Sequence, residues 1–195
     1  MKKTLLVAAM MLSSVAMFAQ HAVGSITVQP KVGLNLANFT KSEGDIRVGL
    51  AAGAEFEYQV TDMVSISAGA LYSMQGAKGT EVVNGINTPA TAKLNYINIP
   101  IMANVYVAKG FAVKLGIQPA FKISSSLEGK ANGIKASKDI DEIKSFDFSV
   151  PVGASYEFNN FVVDARYNWG LTEIIKESSA KNSVFQITLG YKFDL

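Results

Sequence analysis

The most constraining feature of the sequence is a stretch of period-two alternation over residues 94–124. From Ile97 onward, and outside the link 108–110, its odd-numbered positions are apolar with only Pro119 interrupting the row, whereas its even-numbered positions carry mainly polar or small side chains. Such alternation places like side chains on one face of a β-strand. The three-residue link 108–110 supplies a glycine for the left-handed position and predicts a hairpin in which Val107 faces Phe111. The stretch is therefore predicted to be one β-hairpin with an apolar face and a polar face.

The same alternation recurs along the chain and predicts eight strands. They are 26–36, 47–60, 64–74, 94–107, 111–124, 146–158, 161–171 and 183–195. Most are longer than the usual strand of about five or six residues. Their lengths suit a strand that crosses a bilayer at a tilt, which needs about nine to eleven residues.

The links between these strands alternate between short and long. The short links are 61–63, 108–110 and 159–160, and the long polar links are 37–46, 75–91, 125–145 and 172–182. Short turns at one end and long loops at the other are typical of an outer-membrane barrel. The fold class predicted is all-β, an eight-stranded antiparallel up-and-down transmembrane β-barrel with both termini at the short-turn end.

The aromatic residues of the apolar face fall near the two ends of the strands. Phe56, Tyr58, Phe111, Tyr156, Phe158, Phe161, Tyr191 and Phe193 lie toward the short turns, and Tyr72, Phe121, Phe146, Phe148, Tyr167, Trp169 and Phe185 toward the long links. Two aromatic belts around an aliphatic band indicate two membrane interfaces. A soluble sandwich would favour aromatic side chains at its centre.

The opposite face is polar and balanced in charge. It carries Lys31, Arg47, Lys114, Lys122, Arg166 and Lys192 against Glu55, Glu57, Asp147, Glu157, Asp164 and Asp194. Because side chains just fill an eight-stranded barrel, these charges are expected to pair inside it. A structural polar core is favoured over a pore or proton path.

The chain begins with a predicted secretory signal peptide, residues 1–19. Lys2 and Lys3 precede an apolar run that ends near Ala19, a small residue suited to cleavage. The barrel domain is then 20–195, and removal of the two lysines leaves 16 basic against 16 acidic residues. We therefore expect export and no nucleic-acid partner. The chain has no cysteine and, after the signal, no apolar run long enough for a transmembrane helix.

Catalytic groups are scarce in this sequence. The only histidine, His21, follows the expected cleavage site, where we expect it to be mobile and unable to pair with a serine. Asp139, Asp141 and Glu142 cluster in one long link, but flanking lysines favour a solvated loop over a Ca²⁺ site. We predict no catalytic, cofactor-binding or metal site, no cofactor and no enzymatic activity.

Four segments of the chain resemble the PorT-like outer-membrane β-barrel proteins of Bacteroidetes, which have the size of small OmpX and OmpA-type barrels. The segments are 18–20 (FAQ), 31–35 (KVGLN), 94–100 (LNYINIP) and 189–193 (LGYKF). Asn98 stands where this group commonly has an acidic residue, and Leu195 stands where barrels usually end in Phe. The resemblance implies an outer-membrane location and recognition of the last strand by the barrel-assembly machinery.

Three functions remain open at this point. The first is a monomeric, non-enzymatic barrel in outer-membrane lipid that acts through long extracellular loops or as the partner of an envelope complex. The second is a narrow pore for ions or small solutes. The third is a soluble lipocalin-like binder, in which the apolar face would be turned inward.

Overall fold

The computed structural model describes residues 21–40, 44–83, 86–131, 134–139, 143–175 and 179–195. The predicted signal peptide, 1–19, lies outside these residues. The described residues form β1 (Ile26–Phe39), β2 (Asp45–Gln59), β3 (Val64–Val83), β4 (Ile86–Asn98), β5 (Ile101–Ala108), β6 (Phe111–Ala131), β7 (Ile134–Asp139), β8 (Phe146–Phe158), β9 (Phe161–Gly170), β10 (Asn182–Tyr191) and β11 (Phe193–Asp194). In this part of the chain no helix is long and apolar enough to cross a membrane.

Antiparallel neighbours along the chain close into a ring. β1 pairs with β10, with Leu34 opposite Ile187, and β11 continues the β10 edge. β4 and β5 act as one strand interrupted at Ile99 and Pro100, and β7 pairs only with β6 among the described strands. The predicted eight-stranded up-and-down barrel is confirmed.

The two faces of the wall have opposite polarity. Outward side chains are apolar and open to the surroundings, as shown by Leu34 and Leu115, which are 54% and 56% exposed. Inward positions carry the buried polar and charged residues, among them Gln29, Asn104 and Arg166. A lipocalin-like binder needs the reverse distribution, so the faces match the membrane interpretation.

Aromatic side chains ring both ends of the outer wall. At the short-turn end Phe161 packs edge-on against Tyr191, with 5.0 Å between ring centroids. At the other end Phe121 and Phe146 are 5.6 Å apart, and Trp169 projects outward from β9. Both ring pairs join hydrogen-bonded neighbours in the sheet, β9 with β10 and β6 with β8, so aromatic side chains lie at the two ends of the outer wall as predicted.

Two of the four predicted long loops are wrong. The segment 75–91 continues β3 and β4 as a paired ladder up to Val83 and Ile86, and much of 125–145 continues β6 and adds β7. Only Asn84-Gly85 and Asn132-Gly133 separate the paired strands. Asn-Gly is a dipeptide strongly favoured in two-residue hairpin turns, so the sequence of these polar segments is compatible with hairpins as well as with loops.

The short turns are confirmed, with one change of register. Ala108, rather than Val107, pairs with Phe111, and a bulge at Val107 keeps both strands facing the same way. Gly110 has φ +76°, the left-handed conformation expected of it. In the two-residue turn, Asn159 and Asn160 have φ of 48° and 68°, as a hairpin turn with two left-handed residues requires.

Candidate functional site

A network of five charged side chains lies in the middle of the barrel. Arg166 donates to Asp164 at 2.8 and 2.7 Å and to Glu55 at 2.9 and 3.4 Å. Lys31 donates to Glu55 at 2.8 Å, and Lys114 to Asp164 at 2.7 Å. All five are almost fully buried. Since an unpaired charge here would be costly, the network explains how a barrel this narrow tolerates a charged interior.

A second cluster lies at the short-turn end of the lumen. Lys192 is 2.9 Å from Glu57, from Glu157 and from the hydroxyl oxygen of Tyr106. Tyr106 also donates to Glu57. His21 joins this cluster instead of being mobile, which corrects the expectation from the sequence. Its ring nitrogens lie 3.1 Å from carboxylate oxygens of Glu157 and Asp194.

Three of the remaining predicted lumen charges, Arg47, Lys122 and Asp147, lie outside both groups. Arg47 donates to the backbone carbonyl of Gln75, and Lys122 donates to that of Ile143 at 2.7 Å. Asp147 accepts from Thr172 and from Asn182. The side chain of Asp194 is 67% exposed at the barrel rim, so its assignment to the lumen was wrong. Strand alternation assigns a face, but it does not show that Asp194 lies beyond the end of the lumen.

An apolar cluster, called the apolar cap here, covers the lumen at the long-loop end. Its buried members are Leu94, Tyr96, Ala120, Ile143 and Ile174, with Phe39 and Ile175 packed against them. Ile143 and Ile175 form a β-bridge, so two segments predicted as loops fold inward together. The isoleucines within these otherwise polar segments are the sequence signal for this cap.

Beyond the cap, strands of one side continue as a protruding sheet, defined by the paired parts of β3 (76–83), β4 (86–95), β6 (124–131) and β7. This sheet borders a cleft of about 520 Å³. Small and apolar residues form much of the lining, including Phe39, Ala77, Ala90, Ala92 and Leu127.

The acidic cluster considered from the sequence falls largely outside the described residues. Asp141 and Glu142 are not among them, and Asp139 is described only as a backbone position of β7. Over the described ranges, no group of three or more potential metal-binding side chains is found. The prediction of no metal site stays a prediction.

Comparison with solved structures places this fold among small barrels. The crystal structure of Ail, the attachment invasion locus protein of Yersinia pestis, has a TM-score of 0.54 at 10% identity, covering 88% of this chain and 100% of Ail. The crystal structure of Neisserial surface protein A has a TM-score of 0.50 at 13% identity, covering 86% of this chain and 97% of that one. These likenesses concern the fold alone.

Sequence comparison identifies the family. None of the curated proteins matches the chain. Residues 18–176, most of the barrel, match the family described as outer membrane protein beta-barrel domain. Together with the outward apolar wall and its aromatic belts, this match supports an outer-membrane location. The chain belongs to the outer membrane protein beta-barrel domain family.

Proposed function

We propose that the protein is a closed, monomeric outer-membrane barrel that binds a partner through its long-loop end and has no enzymatic activity. The observation that carries this proposal is the contrast between the central lumen and the protruding sheet. The central lumen is occupied by ion pairs, whereas the protruding sheet presents strands beyond the barrel wall. A region extended past the membrane-spanning wall adds nothing to a pore, but it supplies surface for a partner.

The edges of the protruding sheet suit recognition of an extended segment. In the described part of the chain, β7 pairs with β6 on one side only, and the tip of β3 beyond Lys78 pairs with β4 only. A strand edge exposes backbone donors and acceptors that an incoming strand can satisfy. The partner we propose is an envelope or surface protein that contributes such a strand.

The absence of catalysis is part of the same proposal. Both ring nitrogens of His21, the only histidine, lie against carboxylates and not against a serine hydroxyl. A serine-histidine nucleophile would need one ring nitrogen to accept the hydroxyl proton.

We further propose that the termini are periplasmic, that the long-loop end is extracellular, and that the chain is PorT-like. Leu189 and Phe193 are exposed on the outer wall and, with Tyr191 between them, continue the apolar row toward the end of the chain, where we propose that the barrel-assembly machinery recognises it. Because the chain has no cysteine, single-cysteine variants test the orientation. An impermeant maleimide added to intact cells should label Lys78→Cys but not Lys109→Cys, which lies in a short turn. The reverse pattern would invert the orientation.

Photo-crosslinking from the same two positions tests the binding role. A cysteine-linked photo-crosslinker at position 78 should join the barrel to a distinct envelope component in intact cells, and the probe at position 109 should not. The barrel should also show heat-modifiable gel mobility and no steady conductance in a planar bilayer. Equal crosslinking at both positions, together with steady conductance, would contradict the proposal.

The narrow pore is the second candidate because several buried polar atoms of the lumen lack a protein partner. They include Gln29 Nε2, Asn168 Oδ1 and Thr188 Oγ1. Water would satisfy such atoms, and a file of water could conduct ions. The planar-bilayer measurement separates this candidate from the closed barrel.

A further inference from the structure

His21 sits where the start of the described chain crosses the short-turn end of the barrel. Its ring links Glu157, at the end of β8, to Asp194, next to the last residue. Three backbone bonds fasten the following residues to the rim. Gly24 donates to Gln59 at 2.8 Å, Gln59 to Ser25 at 3.0 Å, and Leu195 to Ile26 at 3.0 Å. Residues 21–25 are called the N-terminal strap here.

The ring is held in a way that suits only its protonated form. A neutral imidazole has one N–H donor, so it could donate to one of the two carboxylates and would turn a lone pair toward the other. An imidazolium donates to both. Its side chain is 11% exposed and that of Glu157 is 6% exposed, so water screens their contact only partly. Asp194 approaches from the solvent side of the ring.

The charges around the ring also favour a proton. The groups facing it are Glu157 and Asp194, with Lys192 behind Glu157 and Glu57 behind Lys192. Three carboxylates against one ammonium leave an excess of negative charge, which an imidazolium reduces. The hydrogen bond with Glu157 raises the pKa of His21 above 6.5, although burial and the charge of Lys192 act in the opposite direction.

We propose that His21 is a proton-dependent latch that fastens the N-terminal strap across the short-turn end of the barrel. In the protonated state it bonds both carboxylates, and the strap covers the cluster of Lys192, Glu57 and Glu157. Loss of the proton breaks one of the two bonds and leaves a lone pair facing a carboxylate, so the strap is released. Release exposes this end of the lumen to water.

The direction of the pH dependence follows from the raised pKa. The latch stabilises the closed strap fully below about pH 6.5, the pKa of a free histidine. This stabilisation is lost as the pH rises through the raised pKa of His21. Between those two pKa values the equilibrium constant for closing of the strap should fall about tenfold per pH unit, because closing is linked to the uptake of one proton.

The test uses NMR of the folded protein in detergent micelles, prepared without a histidine tag so that His21 is the only imidazole. The pKa of the His21 ring should lie above 6.5, and Asp194→Asn should lower this pKa. The amide protons of Gly24 and Gln59 report the strap, and that of Leu171, bonded to Phe148 at the opposite end, is the internal control. Protection of Gly24 and Gln59 against exchange should fall across the titration while that of Leu171 stays constant.

Two variants at His21 complete the test. His21→Gln cannot carry a charge, so strap protection should be low and independent of pH. His21→Arg keeps the charge and several donors, so protection should persist to higher pH. Heat-modifiable mobility checks that each variant folds, which is expected because His21 lies outside the strands. A ring that titrates at or below 6.5, or wild-type protection that matches His21→Gln at every pH, would overturn the latch.

Discussion

Replacement of Arg166 by methionine should destabilise the folded barrel by about 3–5 kcal/mol, the cost of breaking a buried ion network by removing one partner. Arg166 makes four hydrogen bonds to two carboxylates, and each bond to a charged group contributes about 1.5–3 kcal/mol. The loss stays below their sum because Lys31 still pairs with Glu55 and Lys114 with Asp164.

The free energy of unfolding can be measured by urea titration in lipid vesicles. Trp169 is the only tryptophan and projects outward from β9, so its emission reports departure from the bilayer. Gln186→Met is the matched control, since Gln186 is buried, lies beside Arg166 in the ladder and accepts a single bond from Asn168. It should cost about 1 kcal/mol.

A double-mutant cycle with Glu55→Gln gives the coupling between the two charges. Because Arg166 and Glu55 touch, the double variant should lose clearly less than the sum of the single losses. If Arg166→Met costs no more than Gln186→Met and the cycle is additive, water screens these charges. The lumen would then be wet, and the pore would become the better explanation.

Three further perturbations test the wall, a turn and the cap. Ala103→Arg places a cation on the outward face between Ile66 and Leu115 and should lower the free energy of unfolding in vesicles by about 2–4 kcal/mol. The control Ala103→Leu should be nearly neutral, and equal stability of the two variants would mean that this face does not meet lipid. Asn159→Ala should lower the free energy of unfolding by about 1–2 kcal/mol in the same titration, because φ at this position is 48°, in the left-handed region. Asn159→Gly should cause no such loss, and a loss of stability with glycine alone would contradict the turn assignment. Ile174→Asn should loosen the apolar cap and leave the ion network intact, so the variant should still show no conductance in a planar bilayer. Steady openings in this variant would show that the cap alone closes the lumen.

The strands were predictable because each is decided by its own residues. A pleated strand turns successive side chains to opposite faces, so a row such as Phe146, Phe148 and Val150 shows its orientation without its neighbours. The predicted strand 146–158 matches β8 in the structure at both ends. The extensions of β3, β4 and β6 differ from the predicted loops because polar composition alone does not distinguish an exposed paired strand from an irregular loop; the Asn-Gly dipeptides are the stronger signal.

What the sequence determined by itself was therefore the number of strands in the ring, their two faces, the aromatic belts and the presence of charge inside. Only the tertiary structure decided which charges meet, that Ile143 and Ile174 fold inward as a cap, and that His21 reaches Glu157 and Asp194 at the far end of the chain. Alternation is local, because it follows from the pleat of one strand. The choice of partners is not local, because 136 positions along the chain separate His21 from Glu157. The two side chains meet only when the ring of strands closes.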